Sequence, residues 1–318
     1  MKTLASKQHL ATSICAALLA GFAPLAGAQS LLYQWNFDNA TGNGSTFTAA
    51  PSAGSGSLGT LTDLNSGVGP SAPAGSGLTG AAGDLALVQP TYGAGGAGAV
   101  GGQLGDLSSL SSFTVSLWFN LNSTVTNFGN MNGQGGLNAR LFNVANSASG
   151  DGNRLYFALN TGTNLQFGVN NAGSSGVTLG AGAQGQGNSG AFGLFGNASS
   201  TMTNNWIFVA GVYNTALNGT VSLYMGSQTT AASFVGSLTN VGTIAWDASG
   251  DDAYVGNRPS NGNRALPGSI DDVRLYNGVA DQNFINNNIQ GVPEPGTLAL
   301  VSVGAGLAIL RIRRRCAV

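Results

Sequence analysis

The strongest constraint on the fold is a period of two in the apolar residues, which recurs through the middle of the chain. In the run Phe113–Leu121, residues Phe113, Val115, Leu117, Phe119 and Leu121 fall on one side, and Thr114, Ser116 and Asn120 on the other. Successive side chains of an extended strand point to opposite faces, so this spacing predicts a half-buried strand. The same beat occurs in Tyr33, Trp35 and Phe37, in Leu155, Phe157 and Leu159, and in Leu165, Phe167 and Val169. The turn-prone Asn160-Thr161-Gly162-Thr163 separates the last two runs and predicts a hairpin. Trp206 to Tyr213 is apolar on both faces, as a strand in the centre of a sandwich is, and Val221, Leu223 and Met225 follow the turn Asn218-Gly219. Only Asp281 to Ile289 suggests a helix, with Asp281 as its cap and Phe284, Ile285 and Ile289 turned inward. These elements predict an all-β chain folded as an antiparallel sandwich.

Gly and Ser dominate Gly42 to Gly105 and Gly173 to Gly196, which read as long loops with a few short strands. Leu85 to Val88 and Phe192 to Phe195 are the apolar anchors within them. Residues Gln29 to Gly291 contain no Lys, His, Cys or Glu, and carry eleven Asp against five Arg. An acidic domain without Lys argues against a nucleic-acid partner, and no disulfide can form inside it. Without His, Cys or Lys it also lacks the common general bases, nucleophiles and transition-metal ligands. Glycoside hydrolysis calls for paired carboxylates, and no glutamate is there to serve. Asp271 and Asp272, as neighbours on a strand, are expected on opposite faces rather than as one acid/base pair. The expectation is a domain that is not an enzyme. Asp247, Asp251 and Asp252 read as a solvated, Asx-rich turn, because the spacing fails the EF-hand pattern at Arg258. Trp35, Trp118 and Trp206 sit within strand patterns and are assigned to the core, while Trp246 beside the Asp-rich turn is the least committed.

The missing residue types are found at the two ends. Residues 1–28 have Lys2 and Lys7, an apolar stretch from Leu10 to Leu25, and Ala26-Gly27-Ala28, the three parts of a secretory signal peptide, with cleavage expected between Ala28 and Gln29. Residues 292–318 read as a motif (292–297) containing Pro293, Glu294 and Pro295, an apolar run (298–310), and a basic end (311–318) with Arg311, Arg313, Arg314 and Arg315. A helix over that apolar run would reach about 20 Å, short of the roughly 30 Å hydrocarbon core, and its arginines would stay on the cytoplasmic side. The two prolines hold the motif extended and accessible to a protease. Motif, apolar run and basic cluster at the C-terminus resemble the PEP-CTERM sorting signal of Gram-negative bacteria. That resemblance implies an exosortase-type processing enzyme as partner, a transient membrane anchor, and delivery to the cell surface or an exopolysaccharide matrix. Short helices are expected at both termini, for signal and sorting.

Four segments in order carry a second resemblance: Trp35-Asn36-Phe37-Asp38; Phe113 to Phe119; Trp206 to Tyr213 with Leu223-Tyr224-Met225-Gly226; and Gly268-Ser269-Ile270-Asp271-Asp272-Val273-Arg274-Leu275-Tyr276-Asn277. Together they resemble the laminin-G-like domains of the concanavalin A-like jelly-roll class and span nearly all of residues 29–291. The resemblance implies a two-sheet antiparallel jelly roll, and a structural calcium near the joined first and last strands, for which Asp38 and Asp271 are the matching positions. The alternative is that Asp38 caps a turn and Asp271 pairs with an arginine such as Arg274. The expected role is a non-catalytic carbohydrate-binding or adhesion domain of a surface or matrix protein, with polysaccharide or another surface glycan as partner. The alternatives are a structural biofilm or coat protein without a specific ligand, and a glycan-active enzyme.

Overall fold

The computed structural model describes residues 29–63, 69–89, 100–121, 139–145, 153–160, 164–169, 177–180, 205–239, 241–248, 250–257, 265–266 and 268–291. The signal segment and the sorting tail, where the two terminal helices are expected, and the Phe192 to Phe195 anchor lie outside these residues. Among the described residues, no helix is long and apolar enough to cross a membrane.

The strands in chain order are β1 (Ser30–Trp35), β2 (Thr48–Ala49), β3 (Leu61–Asp63), β4 (Leu87–Val88), β5 (Val100–Gln103), β6 (Phe113–Leu121), β7 (Ala139–Ala145) and β8 (Asn153–Asn160). They continue as β9 (Asn164–Val169), β10 (Val177–Gly180), β11 (Ile207–Asn214), β12 (Thr220–Ser227), β13 (Ser233–Thr239), β14 (Asp252–Val255) and β15 (Gly268–Asn277). The first sheet runs β1-β15-β6-β11-β12-β13, with β4 also paired to β15; the second runs β10-β9-β8-β7-β14-β5-β3-β2. Every pairing is antiparallel, and strands adjacent in sequence such as β5 and β6 lie in different sheets, so the chain crosses the sandwich as a jelly roll does. The expected hairpin is β8 with β9, in register from Leu155↔Val169 to Asn160↔Asn164. Its turn, 161–163, lies outside the described residues.

The faces that meet between the sheets are the apolar halves of the alternating runs. Trp35, Phe113, Leu117, Phe119, Val209 and Leu223 from the first sheet pack on Phe142, Leu155, Phe157, Phe167 and Val255 from the second. Gly211 in the middle of β11 has a packing reason: a Cβ there would stand 2.7 Å from the Phe167 ring. The Gly-rich stretch before β3 is explained in the same way. It wraps the stacked Tyr33 and Trp35 rings, and a Cβ on Gly56 would enter the Tyr33 ring at 2.2 Å. Tyr33 Oη donates to Ser57 O (2.6 Å), and Trp35 Nε1 donates to Gly59 O (2.7 Å).

One expectation is corrected. β6 is not half-buried: Thr114 and Ser116 are as inaccessible as its apolar residues. A second apolar cluster covers the outer face of the first sheet, where Trp118, Phe208, Ala210 and Val212 meet Ala86, Ile285 and Ile289. The cover is the short helix α1 (Gln282–Phe284), continued by a π-helical stretch, Ile285–Gln290. As expected, Asp281 caps it, its Oδ1 accepting from Phe284 N–H at 2.7 Å. Ile285 and Ile289 are buried, with Phe284 at their edge. The hydroxyl of Thr114 donates to Gly278 O (3.0 Å) and accepts from Ala280 N–H (2.9 Å), which fastens the incoming segment. Gln290 closes it, donating to Ser227 O and Thr230 O and accepting from Ala232 N–H.

Candidate functional site

In a domain with so few cations, carboxylates must find other partners, and most find backbone N–H groups. On β15 the register against β6 slips between Asp271 and Arg274, so Asp272 and Val273 together stand opposite Leu117. Asp272 takes a left-handed φ of 47° at this bulge. Asp271 is 2% exposed; its Oδ2 accepts from Leu78 N–H (3.0 Å) and its Oδ1 from Asp272 N–H (2.6 Å). Burial pushes its carboxyl up to about 8; the charges of Asp272 and Asp84 add to this, and the two N–H donors only partly oppose it. The two aspartates still do not share a proton as one acid/base pair: Asp271 accepts the Asp272 N–H, and the Asp272 carboxylate turns to Arg274. The alternative that Asp271 pairs with Arg274 does not hold: Arg274 pairs with Asp272, through Nε to Oδ1 (2.8 Å) and Nη2 to Oδ2 (2.7 Å). Arg274 Nη1 also donates to Asn288 O, tying β15 to the covering helix.

Asp38 follows β1 and acts at long range rather than as a local cap. Its Oδ1 accepts from Leu85 N–H (2.9 Å) and its Oδ2 from Asn36 Nδ2 (2.7 Å). Asp38 and Asp271 therefore hold one loop at two points, Leu85 and Leu78, and Asp84 within the loop accepts from Thr79. Oxygen donors of this kind suit calcium, which would have to use the lone pairs left beside these N–H bonds. Among the described residues, no group of three or more His, Cys, Asp or Glu is placed to hold a metal ion.

The Asp-rich turn is corrected as well. Asp251 is fully buried: its Oδ1 pairs with Arg154 Nε (3.1 Å) and its Oδ2 accepts from Asp247 N–H (3.0 Å). Burial raises the Asp251 carboxyl pKa, with the Asp247 N–H and Arg154 acting against it. Trp35, Trp118 and Trp206 are core residues as expected. Trp246 joins them at the margin, donating from Nε1 to Leu110 O (2.7 Å) with its ring edge-on to Phe113.

A second polar gathering was missed from sequence. On the outer face of the second sheet, register places Gly101, Tyr254, Asn143, Tyr156 and Gly168 in one line across β5, β14, β7, β8 and β9. The Tyr156 ring occupies the space over Gly168, where a Cβ would lie 2.3 Å from it. The Arg140 guanidinium stands 4.4 Å from the centre of the Tyr156 ring. Tyr254 Oη donates to Asp252 Oδ2 (3.0 Å), and burial followed by the Asp252 charge pushes its phenol pKa upward. Arg140, Asn143, Tyr156 and Tyr254 are all buried, and among the described residues Asn143 Oδ1 accepts no hydrogen bond. Polar residues set into the apolar run Ala139–Ala145 were the available signal. Their alignment could not be read, because it depends on pairings among segments far apart in sequence.

A family model described as the concanavalin A-like lectin/glucanases superfamily matches residues 94–286. No curated protein matches the sequence. Among solved structures, the binding domain of botulinum neurotoxin serotype D is similar at 12% identity and a TM-score of 0.49, covering 82% of this chain and 51% of its own. A heptameric SAP-like pentraxin from Limulus polyphemus is similar at 11% identity and a TM-score of 0.34, covering 56% of this chain and 70% of its own. An endo-β-1,4-glucuronan lyase from the fungus Trichoderma reesei is similar at 12% identity and a TM-score of 0.43, covering 82% and 97%. The chain thus spans about half the length of the toxin domain it resembles. With more than half its residues inside the family match and two antiparallel sheets in jelly-roll order, the chain belongs to the concanavalin A-like lectin/glucanases superfamily.

Proposed function

We propose that this is an exported, exosortase-processed surface or matrix protein whose sandwich binds glycan without turning it over. The observation that carries the binding reading is the Tyr254–Asn143–Tyr156 line with Arg140 over Tyr156; all four side chains are buried, so a sugar reaches them only if this face opens. A buried amide oxygen with no hydrogen-bond partner is costly unless a ligand or water fills it, and here it lies between two tyrosines. Aromatic rings, an amide and a guanidinium together suit a sugar that carries a carboxylate, a polyuronate being the simplest. The non-catalytic reading is supported by the use already made of the aspartates. Asp38, Asp84, Asp251, Asp271 and Asp281 each hold backbone N–H groups, which a migrating proton would disturb.

Binding to a glycan array with and without calcium tests this reading. Asn143→Ala is expected to lose polyuronate binding tenfold or more at an unchanged melting temperature, with Tyr156→Phe as a second variant. Binding to no glycan would leave a structural coat protein, and turnover abolished by one Asp→Asn change would make it an enzyme. Calcium at Asp38 and Asp271 belongs to the same proposal, and a melting temperature unmoved by millimolar calcium would sink it. Export and processing are supported by the order of signal, domain and Pro-Glu-Pro tail. The mass of surface-purified protein is expected to begin at Gln29 and to lack the apolar run; an intact tail would refute processing.

A further inference from the structure

The outer face of the first sheet is roofed only in part. The π-helical stretch ends at Gln290, which is fastened to Ser227, Thr230 and Ala232 in and just after the end of β12. The face of β12 and β13 beyond it carries three cross-strand pairs: Thr220 with Thr239, Ser222 with Ser237, and Tyr224 with Phe234. The residues between them, Val221, Leu223 and Leu238, turn into the core. Tyr224 and Phe234 meet edge-on at 5.6 Å, and Phe234 is 51% exposed, which is unusual for so large an apolar side chain in this structure. Beyond the aromatic pair lie four hydroxyls, and no charged residue occurs from Thr220 to Thr239. Burial raises the Tyr224 phenol pKa, and the Asp281 charge adds to this.

A half-exposed phenylalanine forgoes part of the stabilisation that burial would give it. Edge-to-edge pairing with a second copy is a poor way to recover it, because the register slips beside Leu223 and Tyr224 and bulges the edge strand. A strip of two aromatic rings followed by hydroxyls, with no charged residue on either strand, matches an uncharged sugar chain. The apolar face of one ring would stack on Phe234, and the hydroxyls of the next would meet Ser222 and Ser237. From Tyr224 to Thr220 the strip is about 14 Å long, room for about two or three sugar rings.

We propose that the outer face of β12 and β13 is a second carbohydrate surface, taking a neutral polysaccharide. It rests on the glycan-binding reading for its ligand class but uses no residue of the second sheet. Affinity electrophoresis of the full chain through gels containing a soluble neutral β-glucan, or a soluble polyuronate, tests it. Phe234→Ser is expected to weaken β-glucan retardation at least tenfold while leaving polyuronate retardation and the melting temperature unchanged; Tyr224→Ser is the second variant. Asn143→Ala is expected to do the reverse. Phe234→Ser retarded like the parent would overturn the proposal, as would a parent not retarded by the neutral glucan. A change from dimer to monomer in Phe234→Ser, without a change in retardation, would make the strip a self-association surface and overturn it too. Loss of polyuronate binding alone would sink the reading of the second sheet and leave this one standing.

Discussion

Asp251 and Asp271 are both buried carboxylates, yet they are compensated differently, and their variants should separate accordingly. Asp251 faces a guanidinium, so Arg154→Ala would strand a buried charge and is expected to cost about 3–5 kcal/mol in denaturant unfolding. Among the described residues Asp271 faces no cation and is held by N–H groups, with its folded-state carboxyl raised to about 8 from an ordinary value near 4. Between those values the folded protein binds a proton that the unfolded chain has released, so the folded state is favoured below about pH 4 and loses that advantage as pH rises through about 8. Unfolding midpoints measured from pH 4 to 9 are expected to fall with this group's titration, and Asp271→Asn should flatten the fall. A midpoint that rises over the same range would contradict the burial argument.

At the scale of elements, the outer cover of the first sheet is the part most open to test. Asp281→Ala removes the acceptor of the Phe284 N–H and is expected to cost about 1 kcal/mol. Ile285→Ala opens the second apolar cluster and is expected to cost about 2–5 kcal/mol and to shift the fluorescence of Trp118, which lies in that cluster. Gly211→Ala presses a methyl on the Phe167 ring and is expected to cost about 1–3 kcal/mol. These elements also show what could be read in advance. The alternation of Phe113 to Leu121, the Leu155 and Leu165 runs, and the Asp281 cap were legible because each depends on neighbours within one strand or one turn. The burial of Thr114 and Ser116 was not, because a strand's own pattern cannot say what a segment more than 150 residues later will lay across it. The Asp272 bulge and the burial of Asp251 escaped for the same reason. So did the Tyr254–Asn143–Tyr156 line, which depends on the register of β14 against the β7 and β8 pair about a hundred residues earlier.

For the whole molecule, two binding faces on opposite sheets would make one protein a cross-linker. Mixed with a soluble polyuronate and a neutral β-glucan, the parent is expected to raise turbidity at a stoichiometric optimum, and either Asn143→Ala or Phe234→Ser should abolish it. Equal turbidity from the parent and both variants would rule out bridging.

The pairing of the first strand with the last has a mechanical corollary. Ser30 lies opposite Asn277, so the two ends of the folded domain leave β1 and β15 at the same end of that ladder. A pull applied between them would load the rungs one after another, beginning at Ser30 and Asn277, instead of all at once in shear. The Ile285–Gln290 stretch would peel from Trp118 and Phe208 at the start, and the ladder would then open like a zip at low force. A domain built this way can be hung from one end and carry load across its faces, but it makes a weak link if strung between two anchors.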